Sequence, residues 1–170
     1  MEPRTEAEFN RMKHRLKGAW VLISGTNKGW PIDRSAKGDS IREAVKKENQ
    51  EIVKKNAELR RRNWENGEKN EMIPLREFPA LFYHEMEDAG VLGFIQSSRV
   101  PIRALYDRKM LDTMTFDNAP ELPDIKLDEH QYAVIEQMAK ERREFWLEFD
   151  IRNHFKLGPV KYHNVVASIK

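Results

Sequence analysis

Cysteine is absent from the 170-residue chain, which excludes disulfides, iron–sulfur clusters, thiolate zinc sites and cysteine nucleophiles together. No window approaches the roughly 18 consecutive apolar residues that a membrane span requires. The opening MEPRTEAEFN is charged rather than apolar, so the chain is expected in a cytoplasm, the host's if the protein is viral. Low-complexity tracts and internal repeats are missing too. The phosphate-loop pattern GxxxxGK[ST] does not occur. His84-Glu85 with Asp88 begins a zinc-helix pattern but lacks the second histidine, and His14, His130, His154 and His163 have no ligand spacing. Carboxylate pairs such as Glu85/Asp88 and Asp128/Glu129 are unspecific in a chain with 28 acids. The expectation is a protein that is not an enzyme and holds no metal or cofactor.

What is present is charge and a modest apolar fraction. Charged residues make up 34% and hydrophobic residues 39%, enough for one core and too little for a large interior. The net charge of +2 is unevenly divided: residues 1–70 carry 17 Lys/Arg against 11 Asp/Glu, and residues 71–170 carry 13 against 17. An anionic partner for the first part and a basic protein partner for the second fit this asymmetry, as do ordinary solvated faces.

Helix starts are marked by capping boxes, in which a Ser, Thr or Asp precedes a Glu or Gln by three residues. Thr5 with Glu8 predicts a short helix to Leu16. Ser40 with Glu43 predicts a long one to Trp64, and Asp128 with Gln131 a third to Phe149. Ala19–Ser24 reads as a strand or short helix, followed by a Gly-rich hairpin or loop. Pro74 suits a first turn and opens a predicted helix to Ala89, closed by Gly90. Val91–Ile95 and Ile102–Leu111 read as helical, with a break at Pro101, and 112–127 as an acidic, proline-containing loop. The expected fold is mainly α, in three parts: a small, winged-helix-like segment (1–40), a long charged helix or oligomerisation arm (41–70), and a helical, bundle-like core (71–170).

The long helix has a second pattern. Val45, Ile52 and Leu59 recur every seven residues, and so do Asn49, Asn56 and Asn63. With the aliphatics at d, the asparagines fall at a, where buried Asn fixes register between paired helices. A self-associating seam and a monomeric amphipathic helix both satisfy this spacing. Toward the C-terminus, Tyr132, Ile135, Met138 or Ala139, Phe145 or Trp146, and Phe149 follow helical spacing and predict a core face, with 140–144 turned outward.

Two basic groups are candidate DNA contacts: Lys28, Arg34 and Lys37 with Trp30 on the Gly-rich loop, and Lys54, Lys55, Arg60, Arg61 and Arg62 on the helix. Glu51 and Glu58 partly neutralise the second group, so a helix laced with i,i+4 pairs is the alternative. Val21–Pro31, VLISGTNKGWP, is similar to the opening of short-chain dehydrogenases. Pro31 and Ile32 replace the last glycine and helix start of that pattern, no βαβ unit is read after it, and no Tyr-x-x-x-Lys pair occurs.

GWPIDRSAKGDS (Gly29–Ser40) resembles the wing region of lambda-type phage terminase small subunits. IREAVKKENQEIVKKNAELRRRNWENGEKNEMIPLREF (Ile41–Phe78) resembles their charged helical arm with its Met-Ile-Pro step into a second helix. The similarity spans about residues 29–105. It implies a non-enzymatic DNA-packaging subunit that binds double-stranded viral DNA, self-associates, and recruits a large subunit carrying the ATPase and nuclease. Lys28, Arg34 and Lys37 would then contact phosphates, and helix 41–64 would join protomers or cross the DNA backbone. The other reading is a helical accessory or adaptor subunit of a large complex, without specific nucleic-acid binding.

Overall fold

The structure, a computed structural model, describes residues 1–27, 32–99, 122–150 and 152. Its centre is a parallel sheet of β1 (Trp20–Asn27), β2 (Gly93–Ser98) and β3 (Asp124–Asp128), in that spatial order. Ile23 pairs with Gln96, and Gln96 with Lys126. The chain is therefore a mixed α/β protein, not the mainly α bundle that the capping pattern suggested. All of β2 is buried, so Val91–Ile95 lacks the polar alternation that would mark a strand and reads equally as helix.

Helices cover both faces. On one face Val21, Ile23 and Phe94 pack with Phe9 and Leu16 from the N-terminal region and with Leu81, Tyr83 and Met86. These come from α1 (Glu6–Met12) with its 3₁₀ extension Lys13–Arg15 and the Leu16 that caps it, and from α3 (Tyr83–Asp88) with the turn before it. On the other face Leu22 and Ile95 meet Tyr132, Ile135 and Ala139 of α4 (Glu129–Lys140). The Tyr132 hydroxyl donates to the Ile23 carbonyl at 2.5 Å. Between β1 and β2 the chain passes through α2 (Ala36–Asn66) and α3, so a strand–helix–strand crossover does follow VLISGTN. Residues 5–27 hold one helix, a 3₁₀ turn and a sheet strand, which replaces the expected winged helix.

Several boundaries move for local reasons. Thr5 caps α1 by accepting from the Glu8 amide at 3.2 Å, as its capping box predicts. α2 is capped by Ser35, which accepts from Gly38, rather than by Ser40; the Ser40 hydroxyl instead donates back to the Ala36 carbonyl. Gly67, at φ 69, ends α2 in the left-handed region. Of the helix expected from Pro74 to Ala89 only the C-terminal part forms, as α3, with Gly90 after it at φ 80, and 67–78 is neither helix nor strand. α4 stops at Lys140, well short of Phe149, although Phe149 still packs against Trp20, ring centroids 4.8 Å apart. Within the expected loop 112–127, residues from Asp124 onward belong to β3. Ile102–Leu111 and the tail 153–170 lie outside the described residues.

The exposed edge of β1 is covered by the N-terminal segment. The Glu2 amide donates to the Leu22 carbonyl at 2.9 Å, and the Glu2 carboxylate accepts from Ser24 at 2.7 Å and Leu81 at 3.3 Å. Burial pushes this carboxyl up to about 7, against the opposing pull of those backbone amides. Among the described residues no helix is long and apolar enough to cross a membrane.

Candidate nucleic-acid interface

α2 is 31 residues long, yet none of its residues beyond Ile52 is buried. Its distal part, about 14 residues or roughly 21 Å, leaves the body accompanied by the extended segment that returns after Gly67. The two are joined by a ladder of asparagines. Asn63 donates to the Asn70 carbonyl at 2.9 Å and accepts its amide at 2.8 Å. Asn56 does the same with Ile73, both at 2.8 Å. Asn49 repeats it with Arg76, at 3.0 and 2.7 Å, and also donates to the Arg4 carbonyl at 3.1 Å. One heptad earlier, Arg42 donates to the Ala80 carbonyl at 2.9 Å.

Two rises explain the register. Seven helical residues advance about 10.5 Å, and three extended residues about 10 Å. An Asn every seventh position on the helix therefore meets every third residue of an antiparallel extended chain. Each side-chain amide supplies one donor and one acceptor, which is what one residue's backbone offers. The ladder thus satisfies backbone groups of a segment that belongs to no sheet, and Pro74 falls between rungs, where its missing N–H goes unneeded. At this scale α2 is repetitive: Lys47, Lys54 and Arg61, and also Glu51, Glu58 and Glu65, share the same seven-residue spacing.

The residues proposed for a self-associating seam are thereby placed within one chain. Asn49 and Ile52 are buried, Asn56, Leu59 and Asn63 are half-buried, and Val45 packs beside the core. Arg42, which the heptad reading left out, is buried against Phe78 and Tyr83. Its position one repeat before Asn49 is the signal that could have found it.

Of the candidate DNA contacts, Lys28 and Trp30 lie outside the described residues. Arg34 stacks over the Tyr83 ring at 5.7 Å, and its buried Nε has no hydrogen-bond partner among the described residues. Lys37 is exposed in the first turn of α2. Lys54, Lys55, Arg60, Arg61 and Arg62 lie 17 to 25 positions further along the same helix, about 25 to 38 Å away. The two basic groups therefore do not form one patch. On the arm, Lys54 bridges Glu51 at 2.8 Å and holds that carboxyl below its ordinary range, while Arg61 reaches Glu65 at 3.8 Å. Lys55, Arg60 and Arg62 form no ion pair with described residues and are exposed. Trp64, one turn beyond Arg60 and Arg61, is 89% exposed.

Sequence reading also missed a polar network across the sheet. Asn27 donates to Gln96 at 2.8 Å, Gln96 to Asp124 at 2.8 Å, and Lys126 to the same Asp124 oxygen at 2.5 Å, while the Ile32 amide takes the other oxygen. Burial lowers the Lys126 ammonium against the attraction of Asp124. These bonds link all three strands and the segment before α2, so the network cross-braces the sheet. Among the described residues no group of three or more His, Asp or Glu is placed to hold a metal ion. Compared with protein-family models, with curated proteins and with solved structures, the chain matches none.

Proposed function

We propose that this is a non-enzymatic, nucleic-acid-binding assembly protein that engages double-stranded DNA through its arm. The observation that carries the reading is the exposed set Lys55, Arg60 and Arg62, which form no ion pair with described residues and are mounted on a helix braced by the asparagine ladder. A braced arm holds its cations at fixed spacing along a backbone, and phosphate contacts of this kind position a protein without reading sequence. The resemblance of Ile41–Phe78 to the charged arm of terminase small subunits supports DNA as the polyanion and a large packaging subunit as the protein partner. The acidic C-terminal part suits that second role.

The test is fluorescence anisotropy with a 20-base-pair duplex across a salt series. Wild-type affinity should fall steeply with salt, and Lys55→Ala/Arg60→Ala/Arg62→Ala should weaken binding and shrink the log–log slope by about 2 to 3. Equal affinity and slope in the triple variant would remove the arm from the interface. No binding by the wild type at low salt would instead favour the adaptor reading, with Trp64 and the neighbouring apolar side chains of the arm as protein contacts. Lys28→Ala/Lys37→Ala tests the other end of α2 in the same assay.

A further inference from the structure

A groove of about 720 Å³ opens on the body between the N-terminal segment, the α1–3₁₀ region and the end of α4. Five cationic side chains from these three parts of the chain line it: Arg4, Arg11, Arg15, Lys140 and Arg142. Arg4 is bridged to Glu77 at 3.0 Å and Lys140 to Glu136 at 2.9 Å. Arg11, Arg15 and Arg142 form no ion pair with described residues. Two carboxylates line the groove, and both are already engaged. Glu8 accepts from the Arg4 amide at 2.8 Å, and Glu2 accepts from Ser24 and Leu81.

Two further observations set this groove apart from an ordinary basic surface. Arg142 has φ 56 and occupies the left-handed position of a Schellman cap, in which the amides of Arg142 and Arg143 donate to Ala139 at 3.2 Å and Met138 at 3.0 Å. Glycine is the usual residue there, because a side chain costs about 1 kcal/mol or more in that conformation. The chain thus places a guanidinium at the groove where glycine would stabilise the cap. In addition, the Ser24 hydroxyl, on a groove-lining residue, is buried and has no hydrogen-bond partner among the described residues.

We propose that this groove is a binding site, separate from the arm, for a small ligand bearing a chain of phosphates, gripped by the guanidinium groups of Arg11, Arg15 and Arg142. Three forked donors around one opening suit adjacent phosphate groups, because each guanidinium can meet a phosphate through two parallel N–H bonds. The volume lies within the range of small-molecule sites.

Inorganic tripolyphosphate is the probe, titrated calorimetrically into the full chain at low salt. Binding should be saturable, and each of Arg15→Ala and Arg142→Gly should weaken it about tenfold or more. Arg142→Gly guards against loss of fold, because it should keep or raise the melting temperature while losing the ligand. The arm variant Lys55→Ala/Arg60→Ala/Arg62→Ala should bind tripolyphosphate as the wild type does, so failure of the arm reading leaves this one standing, and the reverse. Wild-type-like binding by Arg142→Gly and Arg15→Ala, or no saturable binding by the wild type, overturns the site. If a 12-nucleotide strand loses affinity on Arg142→Gly while tripolyphosphate does not bind at all, the groove is part of the nucleic-acid interface and the small-ligand proposal fails.

Discussion

In the body, Ile23, Phe94, Ile95 and Met86 are each withdrawn from water to 1% exposure or less, and apolar burial on both faces of the sheet holds α1, α3 and α4 in place. Beyond Ile52 no residue of α2 is buried, and the returning chain is held by side-chain amides that copy the donor–acceptor pattern of a neighbouring strand. Apolar burial is non-directional and scales with area. The ladder is directional, and each of its rungs is worth only what a hydrogen bond nets against water. The body should therefore unfold as a unit, and the arm should open rung by rung.

The largest expected effect falls on the body. Phe94→Ala should cost about 3 to 5 kcal/mol, lowering the urea midpoint for every probe together; a loss confined to the arm would contradict the division. Next comes Glu2, whose folded carboxyl at about 7 lies above its ordinary 4.5. The folded state binds this proton more tightly than the unfolded chain does. Its contribution is complete below pH 4.5 and is lost as pH rises through 7, on the order of 3 kcal/mol. Denaturation between pH 5 and 8 should show that decline, and Glu2→Gln should flatten it.

Smaller effects are expected in the arm. Asn49→Ala removes the buried asparagine rung and strands the backbone of Arg76 and the Arg4 carbonyl, at about 2 kcal/mol. Asn56→Ala exposes the same kind of groups to solvent, so about 1 kcal/mol or less is expected. Its signature should be faster hydrogen exchange at the Ile73 amide with an almost unchanged melting temperature. Asn63→Asp is the mildest change: it retains the acceptor for the Asn70 amide and loses the donor to its carbonyl. Its effect should be confined to the tip of the arm in the same exchange experiment.

Much of the local punctuation was legible in sequence. Thr5 and Asp128 cap helices because a side-chain oxygen meets the first free amides, and Gly67 ends α2 because it tolerates a left-handed backbone. The seven-residue repeat of asparagines was also visible, and its partner was not. A heptad Asn at a helix face states that a donor–acceptor pair is needed every 10.5 Å or so; it does not state whether a second helix or an extended chain supplies it. The sequence shows the basic residues but not that Arg34 and Lys37 lie too far from Arg60–Arg62 to share a patch.

The sheet was the larger miss, and its cause is physical. A central parallel strand buried on both faces, such as Gly93–Ser98, carries no alternation. Pairing of β1 with β2 joins residues some 70 positions apart, and that pairing depends on cross-strand hydrogen bonds absent from any local window. Sequence by itself determined where helices start and stop, which charges lie on the long helix, and which chemistries cysteine-free composition excludes, since each of these is set by neighbours within a few residues. Tertiary structure alone decided that the apolar runs are strands, that the asparagines grip the chain's own backbone, and that five cationic side chains from three parts of the chain meet in one groove, because each depends on partners brought together only by burying the core.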